Sequence, residues 1–339
     1  MDPTPPSLSL VIRLRAAVEA GWQVRCLDEQ TGWLWLLEKG EQRRVFAGPT
    51  SALNDAGAAR LANDKFYTGA VLAAAGFSVP QSMRCLRPGA FVLGDGEDPY
   101  AAQRGLAPAL ALAEACGLPL VVKPNAGSRG REVNLVEDHR ALKEAIERIW
   151  TRDDLALVQR PIHGLDLRID MLDGELLLAY LRRPLQLHGD GRSTALELAR
   201  AVDPRLEQPG FRHKFLREPL WLRTLSAAFL EAEAVVPDGV TLDFPATILN
   251  LNRCCVAEVH GSLPAPWIAY ARAIAAAMNL RHSGIDLRVP FSSDPLAGDP
   301  SQAVVLEVNA SPSMGQIHRL GAADLVESAE RRVAAALLA

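Results

Sequence analysis

Between residues 120 and 133 the chain reads Leu120-Val121-Val122-Lys123-Pro124-Asn125-Ala126-Gly127-Ser128-Arg129-Gly130-Arg131-Glu132-Val133, the stretch that most restricts the fold. An apolar run delivers a lysine to a short, glycine-spaced basic turn, and a second apolar run leaves it. The pattern reads as strand, turn and strand. Such a turn can lay backbone amides and cations over a bound anion. Of the 36 Lys and Arg residues, only Lys39, Lys65, Lys123, Lys143 and Lys214 are lysines, so lysine at a strand end is not the default cation of this chain. Taken alone, the segment would serve equally as an ordinary surface hairpin.

A second cluster lies near the C-terminus. Ser283-Gly284-Ile285-Asp286-Leu287 is followed by Val304-Val305-Leu306-Glu307-Val308-Asn309-Ala310-Ser311-Pro312. Each is a short apolar strand interrupted by an acid. Glu307 and Asn309 are two apart and share one face of a strand. With Asp286 they make an oxygen-only pocket of two carboxylates and an amide, suited to Mg²⁺, which binds through one or two carboxylates plus substrate phosphates. The bland alternative is a pair of acids facing solvent at strand ends. Cations and amides at one end and hard metal ligands at the other are what phosphate chemistry needs. No Walker-A, H-R-D or D-F-G signature is present, and Gly94-Asp95-Gly96 reads as a turn.

Size and composition narrow the class. A chain of 339 residues, 49% apolar and 22% charged, can bury one large core or two to three smaller ones. The net charge of −4 and the interspersed signs give nucleic acid no surface to favour. The N-terminus has no basic region ahead of an apolar segment, and no apolar run approaches the roughly 18 to 20 residues of a membrane helix. A cytoplasmic protein is expected, with no membrane partner. Five cysteines without C-x-x-C spacing support neither structural zinc nor a disulfide framework.

Periodicity predicts helices over 8–20, 52–75, 107–116, 139–150, 194–201, 217–234, 266–278 and 324–338. Strands are expected over 24–27, 32–37, 120–123, 132–136, 155–158, 167–172, 175–181, 285–289 and 304–308, with Pro/Asp-rich loops at 202–216 and 290–303. The chain is therefore of mixed α/β (α+β) class. Arg182-Arg183 could bind a substrate carboxylate or merely end a strand in solvent.

The order of motifs resembles the ATP-grasp superfamily of ATP-dependent carboxylate–amine ligases, and within it the ATP-grasp portion of cyanophycin synthetases and the glutathione-synthetase-like ligases. The likeness spans roughly residues 60 to 320. It starts at Asn63-Asp64-Lys65 and at Leu72 to Pro80, similar to the family's "DK…LLxxxGIPVP". Val121-Val122-Lys123-Pro124 and the turn Ala126 to Arg131 resemble the nucleotide-clasping lysine and glycine-rich lid. Leu157 to Ile162 with Gly164-Leu165-Asp166-Leu167-Arg168 resembles the adenine hinge and its "GxDxR". Gly189-Asp190-Gly191-Arg192-Ser193-Thr194 is similar to a "GDGxxT" turn, and Asp286, Glu307 and Asn309 fall at the family's metal-ligand positions.

The resemblance implies an ATP-grasp fold, with two α+β subdomains clasping ATP behind a small N-terminal α/β region. The expected divisions are 1–60, 61–155 with the lid hairpin, and 156–339 with the metal site. It implies ATP and Mg²⁺ as cofactors, with a small-molecule carboxylate and an amine, amino acid or peptide, as substrates. The reaction implied is ADP-forming amide synthesis through an acylphosphate. Lys65 and Lys123 would bind the α/β-phosphates, and Gly127, Ser128 and Gly130 would lie over them. Main-chain atoms of Gln159, Pro161 and Ile162 would face adenine, and Asp166 the ribose hydroxyls. Arg168 and Lys123 would be the catalytic cations, Arg168 on the transferring phosphoryl group, and Asp286, Glu307 and Asn309 would hold Mg²⁺. A homodimer is compatible with this family.

Three departures stand out. The hinge has Gln159-Arg160 where the family has a Glu-Glu pair. Ile248 to Cys255 keeps Asn250 and Asn252 but not the rest of the family's "RRNANLSTGG", a loop that holds phosphate and acceptor. Nothing within these 339 residues resembles the Mur-ligase-like domain of full cyanophycin synthetases, so a full cyanophycin synthetase is not expected. These departures leave two other readings open: a nucleotide-binding regulatory or scaffold protein, and an ATP-grasp phosphotransferase.

Overall fold

In the computed structural model, which describes residues 7–50, 52–91, 98–127, 130–245, 248–251, 253–292 and 294–339, Ser7 caps a first helix, α1 (Leu8–Glu19). A three-stranded antiparallel sheet follows, of β1 (Gln23–Cys26), β2 (Leu34–Lys39) and β3 (Gln42–Ala47). The third strand was not expected, because Gln42-Arg43-Arg44 is polar. It forms because Gly40, at φ +59°, closes a two-residue turn between Lys39 and Gln42.

The single helix predicted over 52–75 is two, α2 (Ala56–Asn63) and α3 (Lys65–Ala74). Asp64 separates them. It adopts extended backbone, and its carboxylate accepts from Tyr67 N at 2.9 Å. Short polar side chains that bond nearby backbone favour caps over helix interiors. The break starts α3 at Lys65, whose N–H donates to Asn125 O at 3.2 Å, while Phe66 N–H donates to Asn125 Oδ1 at 3.0 Å. Both helices bury Ala62 and Leu72 in the core of the later, five-stranded sheet.

A four-stranded antiparallel sheet carries the lysine turn. Its strands are β4 (Ser82–Leu86), β5 (Leu120–Pro124), β6 (Asn134–Val136) and β7 (Leu155–Gln159), ordered β4-β7-β5-β6. Helices α4 (Ala107–Cys116) and α5 (His139–Trp150) pack on it, burying Leu112, Leu120, Val122, Leu142 and Ile146. β5 and β6 pair in the expected hairpin, Leu120 opposite Val136.

The five-stranded sheet contains β8 (Leu165–Leu172) and β9 (Glu175–Pro184). The chain then makes a long excursion: β10 (Gln186–His188), α6 (Ala195–Val202), α7 (Pro209–Phe215), α8 (Pro219–Ala227) and β11 (Thr241–Asp243). It returns as β12 (Cys255–His260), in register beside β9 with Cys255 opposite Pro184. Two helices begin at Pro209 and Pro219, where a loop and a single longer helix were expected, because proline is preorganised for a first helical turn. The excursion has its own core, with Trp221 stacked on Phe244 at 5.3 Å. The sheet ends with α9 (Ala265–Ala277), β13 (His282–Val289) and β14 (Val304–Asn309), in the order β12-β9-β8-β13-β14.

Two last helices, α10 (Gly315–Arg319) and α11 (Ala323–Leu338), complete the chain. α11 packs against α1 across a buried ion pair, Arg13 Nε to Glu330 Oε2 at 2.7 Å. Among the described residues no helix is long and apolar enough to cross a membrane.

Candidate functional site

Strand alternation divides the five-stranded sheet into two chemically different faces. Leu167, Ile169, Ile285 and Leu287 point to a core shared with Trp267 and Ile274 of α9. The alternate residues form a charged field. In register, Asp166 lies opposite Arg182 and Arg288, and Arg168 opposite Tyr180 and Asp286. Asp286 is also opposite Glu307, and Gly284 lies between Asp170 and Asn309. Side chains directly opposite in antiparallel strands share a face and interact, so four strands suffice to assemble this charged field.

The field is tightly bonded. Arg168 donates from Nε to Asp170 at 2.6 Å and from Nη1 to Asp286 Oδ2 at 2.6 Å. Arg182 donates to Asp286 Oδ1 and, at 3.3 Å, to Leu249 O. Arg288 pairs with Asp166 at 2.7 Å. The Asn309 amide bridges Asp286 and Glu307 at 3.2 Å each. A Cβ on Gly284 would collide with the Arg168 guanidinium, so this glycine makes the room that arginine occupies.

The four-stranded sheet brings the opposing jaw. Lys123 is buried at the end of β5, and Lys65 Nζ reaches Gly127 O at 2.9 Å and Glu307 Oε2 at 3.5 Å. One cleft is lined by Lys65, Lys123, Gly127, Gly130, Gln159, Pro161, Ile162, Asp166, Asn250, Asp286 and Glu307. Arg168 lies directly behind it, bonded to Asp286, and Asn309 lies beside Glu307. Gln159 holds Ser82 Oγ at 2.8 Å, and the Arg160 N–H donates to Gln81 O at 3.0 Å. The Asn250 amide abuts Gly130, where a Cβ would strike it. Ser128 lies outside the described residues.

Burial shapes the electrostatics. Desolvation pulls the Lys123 ammonium down to about 8, against the attraction of Glu307 and with the repulsion of Lys65. Glu307 moves the other way: burial opposes its charge, but Lys65 and Lys123 overcome it and hold the carboxyl at about 2. Burial raises Asp166 to about 6 despite Arg182 and Arg288. Asp170 is likewise raised by burial, against the pull of Arg168. Four carboxylates (Asp166, Asp170, Asp286 and Glu307) thus meet five cations (Lys65, Lys123, Arg168, Arg182 and Arg288). The cluster carries excess positive charge and is suited to an anion.

Among the described residues, no group of three or more His, Cys, Asp or Glu side chains is disposed to hold a metal. The carboxylates that converge are Glu307 and Asp286, with the Asn309 amide turned N–H first toward both, so that a half-turn of the amide would add its oxygen to the set. Asp286 already accepts at both oxygens, yet a carboxylate has about four lone-pair sites and can share them. The set fits a hard cation that takes most of its remaining ligands from water and phosphate.

Arg288, Asp170 and Gly284 were not anticipated as parts of the site. The i, i+2 spacing of 166/168/170 and 284/286/288 carried the signal. Arg182, weighed as a carboxylate binder or a solvated strand end, is instead engaged with Asp286, Asp166 and Leu249.

No family model matches the chain. It is 24% identical over 317 residues to the glutathione biosynthesis bifunctional protein GshAB of Streptococcus thermophilus, covering 91% of this chain and 39% of that protein. It is 27% identical over 214 residues to cyanophycin synthetase of Geminocystis herdmanii, covering 60% of this chain and 24% of that one. The chain thus spans well under half the length of these relatives. The bifunctional glutathione synthetase of Pasteurella multocida superposes with a TM-score of 0.58 at 20% identity, over 92% of this chain and 40% of that one. The chain has the ATP-grasp fold, and the proteins it resembles in sequence and structure are ATP-grasp ligases.

Proposed function

We propose that this chain is an ATP- and Mg²⁺-dependent, ADP-forming carboxylate–amine ligase acting on amino-acid or small-peptide substrates. One observation carries the reading. Buried Lys123 with its glycine turn, and half-buried Lys65 at the start of α3, face across a single cleft two carboxylates and an amide of the five-stranded sheet. A protein that only bound nucleotide would have little use for the second set.

In this reading the ranges 61–155 and 156–339 are the two clasping subdomains. Lys65 and Lys123 neutralise phosphate charge, and Gly127 and Gly130 cover it. Pro161 has no N–H and the Arg160 N–H is bonded to Gln81 O, so Ile162 N–H is the hinge donor for adenine. Asp166 accepts from ribose hydroxyls. Glu307, Asn309 and a shared Asp286 would hold Mg²⁺, which when bound supplies charge neutralisation to the phosphates. Arg168, held by Asp170 and Asp286, presents fixed positive charge toward the transferring phosphoryl group and costs little reorganisation. Positioning and charge suffice for carboxylate phosphorylation followed by amine attack.

The test is turnover of Mg-ATP with pooled amino acids and dipeptides, followed by mass spectrometry. A product of summed mass minus water, with ADP, supports the ligase. A phosphorylated acceptor would make the chain a phosphotransferase, and binding without ADP release a non-catalytic binder.

A further inference from the structure

Arg205 is wholly buried, and it belongs to the excursion between β9 and β12 rather than to the cleft. An arginine carries five N–H donors in a planar fork. Here five acceptors surround them. Nε donates to Asp203 Oδ1 at 2.8 Å and Nη2 to Asp203 Oδ2 at 2.6 Å. Nη1 donates to Leu251 O at 2.7 Å and to Gln316 Oε1 at 3.5 Å, and Nη2 to Cys255 O at 3.4 Å. The guanidinium also lies over the Phe211 ring, 4.6 Å from its centroid.

Those acceptors sit in informative places. Leu251 directly follows Ile248, Leu249 and Asn250, which form the cleft wall facing Arg182 and Asp286. Leu249 is held from the other side by Arg182, and Asn250 abuts Gly130 of the lysine turn. Gln316 is in α10, a few residues after Asn309. One guanidinium therefore ties the excursion to the return leg that walls the cleft and to the segment leaving the metal-ligand strand. None of Arg205's partners belongs to the hinge at 159–162, which is held instead by Ser82 Oγ and Gln81 O beside the other sheet.

We propose that Arg205 is a positioning residue for the acceptor end of the site. Through it the excursion of residues 185–254 sets the wall at 248–251 and governs use of the amine, leaving nucleotide binding to the sheets. This rests on the ligase reading above. A lysine at 205 keeps the charge, but its three donors lack the planar fork and leave at least two of the five acceptors unpaired.

The test compares the full chain with Arg205→Lys. Hydrogen exchange in peptides covering 248–256 should quicken about tenfold, the loss of roughly one buried hydrogen bond. Affinity for Mg²⁺ with a non-hydrolysable ATP analogue should stay within about twofold, and the KM of the amine found in the turnover screen should rise about tenfold while that of ATP holds. Should the lysine variant not fold, Gln316→Met, which removes only the outermost acceptor, should give the same split at about two- to fivefold. Equal losses of nucleotide and amine binding, or unchanged exchange over 248–256, would overturn the assignment. If no acid and amine are ever joined, the ligase reading and the amine arm fall together, while the exchange result still decides whether Arg205 holds the wall.

Discussion

Removing the charge of Lys123 should make the ligand-free protein more stable and unable to bind nucleotide. The ammonium is buried and its proton affinity is drawn from 10.5 to about 8, chiefly by desolvation. That shift corresponds to about 3 kcal/mol of folded-state penalty for the charged form at neutral pH. Methionine has similar length and no charge, so Lys123→Met should recover most of it. With an unfolding entropy of roughly 2.1 cal/mol/K per residue, this is an increase of about 4 °C in Tm. The pH dependence fixes the cause. A lysine whose folded value is depressed is penalised fully below about 8, and the penalty fades as pH rises toward the unfolded value of 10.5. The gap between variant and parent, read by scanning calorimetry, should therefore be largest at pH 7 and close toward pH 10.5. The stabilising shift that Mg-ATP gives the parent should be absent in the variant at every pH. A variant less stable than the parent at pH 7, or a gap indifferent to pH, would refute the reasoning.

Gly284→Ala should force Arg168 from its seat between Asp170 and Asp286, lowering turnover by about a hundredfold and costing about 2 kcal/mol in thermal unfolding. Glu307→Gln keeps the shape but loses the charge facing Lys65 and Lys123, so Mg²⁺-dependent ADP release should fall at least about a hundredfold while circular dichroism is unchanged. Asp166, raised to about 6, contributes stability that is complete below the unfolded value of 3.8 and lost as pH climbs through about 6. Asp166→Asn should remove that slope from a Tm-versus-pH series between pH 4 and 7, and persistence of the slope would reassign it to another group.

The strand pair carrying Lys123, the acids of β13 and β14 and most of the central helices were legible because apolar periodicity and short acid-bearing strands are local signals. β3, β4 and β12 were not. Gln42-Arg43-Arg44 and Cys255 to His260 are polar or mixed segments whose pairing comes from a neighbouring strand, not from their own pattern. The break at Asp64 was missed because alanine-rich flanks dominate the helical signal, although an aspartate just before a lysine was available as a cap. At the site, Lys123, Asp286, Glu307 and Asn309 converge. Arg288, Asp170 and Gly284 escaped notice because their significance depends on which residue each faces across the sheet.

The charged field is a property of register. Because side chains alternate along a strand, a single inserted or deleted residue inside β8 or β13 would turn Leu167 or Leu287 into the cleft and drive Arg168 or Asp286 into the core beside Trp267. The five-stranded sheet therefore tolerates substitution far better than changes in length. The long excursion is under no such restraint. It leaves at Pro184 and returns at its register partner Cys255, so residues can be gained or lost there without moving one pairing in the sheet. A change of length is thus absorbed in the wall of the cleft, whereas inside β8 or β13 it would rebuild the floor.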